Sequence, residues 1–182
     1  MLVNDTPAPL YAVANVGGLE QINFQAPWEL AGQSVASVVV ENNGIASPPL
    51  QVNVLTAQPG VFTVDGTVGI FIHFGTGELV TAQNPATKGE ILVAYLTGLG
   101  PVTNQPPTGF AAGVLRLSET TNTPVVTIGG VNATVQFSGL TPSLVGLYQI
   151  NLKVPLTAPS GNLDVVVQVA GQNSKVVKLS VQ

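Results

Sequence analysis

His73 is the only histidine and cysteine is absent, so any proton-transfer or nucleophilic site must be assembled from one imidazole, carboxylates, amines and hydroxyls. A Ser–His–Asp arrangement would have to centre on His73. That residue alternates with Phe71, Ile72 and Phe74 in an apolar run, which reads as a plain strand histidine. The chain contains no Gly-x-Ser-x-Gly elbow, no Walker loop and no His-Glu-x-x-His helix. Gly75-Thr76-Gly77 lacks the downstream helix and lysine of a phosphate cradle and reads as a hairpin turn. Asp65-Gly66 alone falls short of the ~6–8 oxygen ligands that calcium takes. Without cysteine, thiolate catalysis, disulfides and Cys-ligated metals are excluded together.

Paired carboxylates could hydrolyse a glycosidic bond. The nine acids are Asp5, Glu20, Glu29, Glu41, Asp65, Glu78, Glu90, Glu119 and Asp164. Most flank strand-like segments, where solvated turn charges are expected, and no spacing brings two together. Lys88 and Lys153 are candidate donors for an intramolecular Lys–Asn isopeptide bond, but they read as ordinary surface lysines. Trp28 could stack on a sugar ring. Its sequence counterpart, described below, is Leu156, and a position that takes either residue reads as a core plug under a loop. Tyr11, Tyr95 and Tyr148 lie in strand-like runs and read as core residues with a hydrogen-bonding tip. The expectation is a chain with no catalytic residues, no cofactor and no metal.

The elements around these residues are strands. Ser34–Glu41, Glu90–Thr97, Leu163–Val169 and Lys175–Val181 are short, rich in β-branched residues and bounded by Gly, Pro or Asn. Gly146–Val154, Thr67–Phe74, Glu78–Thr81, Lys88–Leu99 and Gly113–Glu119 also read as strands. Asn43-Gly44 and Ala170-Gly171 fall between strand pairs as hairpin turns. Fourteen prolines are scattered through 182 residues, and no stretch holds a helical period. The fold class is all-β.

Composition narrows the partners. Charged residues make up 8%, against about 25% in an average globular chain. A net charge of −4 with no basic cluster excludes nucleic-acid binding. No apolar run approaches the ~20 residues of a membrane-spanning helix. Met1–Asp5 lacks the basic and apolar regions of a signal peptide. The surface, rich in Thr, Asn and Gly, leans towards a location outside the cell.

An internal duplication organises the chain. Gln21–Pro27 (QINFQAP) matches Gln149–Pro155 (QINLKVP), placing Trp28 on Leu156. Val38–Val40 matches Val165–Val167, Gly44 matches Gly171, Ser47 matches Ser174 and Val54 matches Val181. Upstream, Val3 falls on Ile128, Ala8 on Ala133 and Leu10 on Val135. Residues 56–182 hold enough strands for a complete immunoglobulin-like sandwich. Residues 1–55 hold about five and have no counterpart of Lys88–Tyr95, so they read as the rear half of the same unit.

The segments QINFQAPWELAGQ, AQPGVFT, NPATKGEILVAYLTGLGPV and VTIGGVNATVQFSGLTPSLVGLYQINLKVP resemble the uncharacterised C-terminal domain family of Solibacter and other acidobacteria. Gly98–Pro101 and Gly146–Asn151 carry the most specific part of this resemblance, which covers essentially the whole chain. It implies tandem immunoglobulin-like modules at the ends of large exported proteins, with no established activity. The family pattern carries a further Gly-rich strand ahead of the position of Met1, and this chain departs from it there.

A half sandwich leaves an open core and an unpaired strand edge. Three arrangements would complete it: packing against the second copy, a strand taken from a neighbouring chain, or a front half removed from this one. The functional expectation is a non-catalytic, secreted or cell-surface structural module, a filament subunit completed by strand exchange. The alternative is an adhesion module at the end of a large secreted protein, gripping a glycan or a surface protein with loops such as Pro101–Gly109. Its expected partners are copies of itself or neighbouring domains, with neither nucleic acid nor membrane insertion.

Overall fold

The computed structural model describes residues 1–182 and is all-β, its only helix being a single 3-10 turn at Trp28–Leu30. It divides into two compact units. The first comprises Met1–Thr56 with Pro106–Ala111, and the second Ala57–Gln105 with Ala112–Gln182.

The first unit contains β1 (Leu2–Val3), β2 (Thr6–Pro7), β3 (Leu10–Val16), β4 (Leu19–Phe24), β5 (Val35–Val39), β6 (Glu41–Asn42), β7 (Ile45–Ala46) and β8 (Leu50–Asn53). Its four-stranded sheet runs β2-β1-β5-β8, while β3 and β4 form a separate two-stranded hairpin. The second unit contains β9 (Gly60–Val61), β10 (Phe71–His73), β11 (Ile91–Thr97), β12 (Val125–Ile128) and β13 (Val131–Leu140). It continues with β14 (Tyr148–Lys153), β15 (Gly161–Val169), β16 (Gln172–Asn173) and β17 (Val177–Val181). Here the strand order is β10-β11-β14-β13-β12-β15-β16, with β17 also on β15 and β9 also on β11. The N-terminal part of β13 pairs with β12 and the remainder with β14, so one strand turns the corner of a sandwich-like fold.

Positions matched in sequence take matching partners within each unit. Val3 pairs with Val38 in the first, as Ile128 pairs with Val165 in the second. Leu10 pairs with Phe24 and, past a bulge, Ala12 pairs with Asn23. Val135 pairs with Leu152 and, past a bulge, Phe137 pairs with Asn151. Ala36–Val52 and Val38–Leu50 correspond to Leu163–Leu179 and Val165–Val177. The Val40 amide donates to the Ser47 hydroxyl at 3.1 Å, and the Val167 amide to the Ser174 hydroxyl at 3.0 Å. Both following hairpins close through left-handed pairs, Asn43 (φ 51°) with Gly44 (φ 77°) and Ala170 (φ 48°) with Gly171 (φ 78°).

The two units differ in what covers these strands. In the second, β11 lies between β14 and the β9 and β10 strands. Leu92, Ala94 and Leu96 are buried there, opposite buried Leu152, Ile150 and Tyr148. Strand β11 stops just before Gly98 (φ 73°), where a Cβ would collide with the Gln58 carbonyl oxygen, so no side chain fits. In the first unit β4 has no neighbour but β3. The only buried core there is Val3, Ala8 and Ala36, with Met1, Leu30, Val38 and Val54 packed on it.

Several expectations need correction. Gly113–Glu119 forms no strand, only an isolated bridge from Glu119 to Gly139, and Leu115 is 95% exposed. Of Thr67–Phe74 only Phe71–His73 is strand, and Glu78–Thr81 contributes a single bridge at Leu79. Tyr11 is exposed rather than core, because no strand covers the β3–β4 hairpin. Leu156 is exposed too, so the Trp28-equivalent position plugs no core in the second unit.

Candidate functional site

His73 sits on β10 with 6% of its surface exposed. Its Nδ1 lies 2.6 Å from Glu90 Oε1 and its Nε2 lies 3.2 Å from the Asn84 carbonyl oxygen. Both partners accept only, so both ring nitrogens must donate and the imidazolium is the form that satisfies the site. Burial disfavours that charge. The hydrogen bonds to Glu90 and Asn84, with the negative charges of Glu90 and Glu78, outweigh burial and raise the pKa above its ordinary value. Glu90 Oε2 also accepts the Thr87 amide at 2.8 Å, and Asn84 Nδ2 donates to Glu78 Oε2 at 3.3 Å. This cluster ties β10 to the 84–90 turn ahead of β11. His73 is therefore more than a plain strand residue, and the structure draws together carboxylates that no sequence spacing pairs. Glu78 and Glu90 both act on it, from five and seventeen residues away, and no periodicity signals such a pairing.

Asp65 holds a turn. Its Oδ1 accepts the Thr67 amide at 2.9 Å, the Thr67 hydroxyl at 2.7 Å and the Val68 amide at 2.8 Å. These bonds, the Val68 amide foremost, lower its pKa to about 2. Gly75-Thr76-Gly77 is a tight turn closed by the Gly77 amide on the His73 carbonyl at 2.8 Å. No group of three or more His, Asp or Glu side chains stands close enough to hold a metal ion.

Tyr148 is buried, and its hydroxyl donates to the Gly100 carbonyl at 2.5 Å; burial pushes its pKa up. Tyr95 is half-buried on β11. The two ion pairs are His73–Glu90 and Lys178–Asp164, the latter exposed, and neither Lys88 nor Lys153 takes part in one. Two shallow depressions mark the second unit's surface, one at Lys153, Leu156 and Thr157, the other at Glu119, Thr123 and Gln136.

Part of the Pro101–Gly109 loop is anchored within the first unit. Thr108 Oγ1 accepts the Trp28 amide at 3.0 Å and donates to Glu29 Oε2 at 2.8 Å. The Gly109 amide donates to Gln25 Oε1 at 2.8 Å. Trp28 is half-buried, and its Nε1 is wholly buried without a partner.

The least ordinary surface is β3–β4. Leu10, Tyr11, Val13, Val16 and Leu19 are each more than half exposed, and the free edge of β4 carries no strand. Residues 10–24 contain one charge, Glu20, with no lysine or proline to guard the edge. Comparison with known proteins finds no protein family whose profile matches the chain, no similar curated protein and no similar solved structure.

Proposed function

We propose that the chain is a non-catalytic structural module that works outside the cell through assembly, its open first unit being completed by a strand from a neighbour. One observation carries this reading: apolar positions that the second unit buries are open in the first. Leu152, Val177 and Leu179 are buried, whereas their counterparts Phe24, Leu50 and Val52 are exposed. The matched registers support a duplicated, immunoglobulin-like unit whose rear strands recur in residues 1–56. They agree with the resemblance to exported acidobacterial C-terminal modules, whose setting is the cell surface or the medium.

Light scattering behind size exclusion tests the reading. The expected outcome is a mass that rises with concentration above the 18.6 kDa of one chain. A charge placed on the open strand by Ile22→Lys is expected to restore the single-chain mass. A chain that stays at one mass at every concentration while binding glycans would instead make it an adhesion module.

A further inference from the structure

We infer that the Arg116–Leu117 peptide bond is a processing site for a trypsin-like, arginine-directed endopeptidase, and that the second unit stays folded in two pieces after the cut. The bond lies in the second unit and is unrelated to how the first one is completed. Gly113–Leu117 carries strand-forming residues but belongs to no strand. Gly113, Val114, Leu115 and Arg116 make no main-chain hydrogen bond. Val114 and Leu115 are 63% and 95% exposed, and Arg116 is exposed beside them. Both ends of this bend are fixed. The Ala112 amide donates to the Leu144 carbonyl at 3.0 Å, and the Ser143 amide to the Ala112 carbonyl at 2.9 Å. Past the bend, Asn104 Nδ2 donates to the Leu117 carbonyl and the Ser118 hydroxyl to the Asn104 carbonyl, each at 2.9 Å.

An endopeptidase holds its substrate as an extended strand through main-chain hydrogen bonds, so a segment with free amides and carbonyls is seated without breaking a ladder. Arg116 is the only arginine in the chain, and its guanidinium suits a primary pocket that carries a carboxylate. The four lysines would suit the same pocket, but their backbones are engaged. Lys153 is paired on both sides, with Ile91 and with Thr134. Lys178 pairs with Asp164, and its amide and carbonyl bond to Thr67 and Gly69. The Lys175 carbonyl accepts the Ser174 hydroxyl at 2.8 Å, with β16 ending just before it and β17 starting just after. Lys88 is half-buried, and the amides of Thr87 and Gly89 donate to Glu90 Oε2 and the Val154 carbonyl. Cleavage at any lysine therefore waits on local unfolding.

The reaction is hydrolysis. The oxygen of water bonds to the Arg116 carbonyl carbon, the C–N bond breaks, and the Leu117 nitrogen leaves as an amine. Strands β9, β10 and β11 stay with residues 1–116, and β12–β17 with residues 117–182. Across the cut, β11 keeps its pairing with β14 from Ile91–Lys153 to Leu96–Tyr148, with Leu92, Leu96, Ile150 and Leu152 wholly buried. The Tyr148 hydroxyl still donates to the Gly100 carbonyl. The two pieces share one core, and the cut removes only the chain connection.

Trace trypsin on the full native chain tests this. The expected first products are residues 1–116 and 117–182, identified by intact mass and by an amino-terminal Leu117-Ser118-Glu119. They should co-elute in native size exclusion and separate in urea. Arg116→Gln is expected to slow the first cut by about tenfold or more, because the lysines are reached only through opening. Arg116→Lys should keep the bond cleavable, and both substitutions, on an exposed bend, should leave the unfolding transition unchanged. A first cut at a lysine, or an Arg116→Gln chain cut as fast as the parent, overturns the inference. So does a pair of pieces that falls apart or is digested further without denaturant. Light scattering should show the same association in Arg116→Gln as in the parent, so the processing site and the assembly reading can each fail alone.

Discussion

At the scale of single residues, the group with the clearest consequence is His73. Its folded pKa is raised, whereas in the unfolded chain it titrates near ~6.5. The stability it contributes is therefore complete below about pH 6.5 and declines as pH rises through the raised folded value. Urea unfolding of the second unit should show a fall between acid and mildly alkaline pH, and His73→Gln should flatten that limb. A wild-type limb that survives His73→Gln would assign the titration to another group. Asp65 works in the other direction. With its pKa lowered to about 2, its contribution is present above about pH 4 and is lost only as pH falls towards 2, so the two effects occupy separate windows.

At the scale of elements, the hairpin between β15 and β16 carries a residue at odds with its backbone. Ala170 sits at φ 48°, where the matched position in the first unit holds Asn43. A left-handed alanine costs on the order of 1 kcal/mol relative to glycine or asparagine. Ala170→Gly should raise the second unit's stability by about 1 kcal/mol in chemical denaturation, and an unchanged or lowered value would show that the turn is not strained. The same hairpins show what the sequence makes legible. Asn-Gly and Ala-Gly steps, β-branched runs and the QIN repeat announce strands and turns because their cues are local. Gly113–Glu119 misleads for a physical reason: Val114, Leu115 and Leu117 resemble strand residues, but a strand exists only where another offers its edge. Tyr11 misleads likewise, since its burial depends on a covering strand. The His73–Glu90 pair was invisible because it depends on how the 84–90 turn folds back on β10.

At the scale of the whole molecule, the two units have unequal means of support. Burial of apolar surface stabilises by roughly 25 cal/mol per Å², and a unit whose buried hydrophobic cluster is Val3, Ala8 and Ala36 draws little from that source. Ordering each residue costs about 1–2 kcal/mol of backbone entropy, so such a unit is marginal by itself. The second unit buries Phe71, Leu92, Leu96, Ile128, Leu140, Ile150 and Leu152 almost completely, which is the core of a self-sufficient fold. Deleting residues 1–56 should accordingly leave a cooperative unfolding transition at nearly the same midpoint as in the full chain. Residues 1–56 alone should lack one. The deletion should also abolish concentration-dependent association, because the unguarded strand and the exposed apolar face leave with it. If association persists in the shortened chain, the adhesive edge belongs to the second unit. If its transition disappears, the second unit depends on the first for its fold, and the open strands of residues 1–56 are structural before they are receptive.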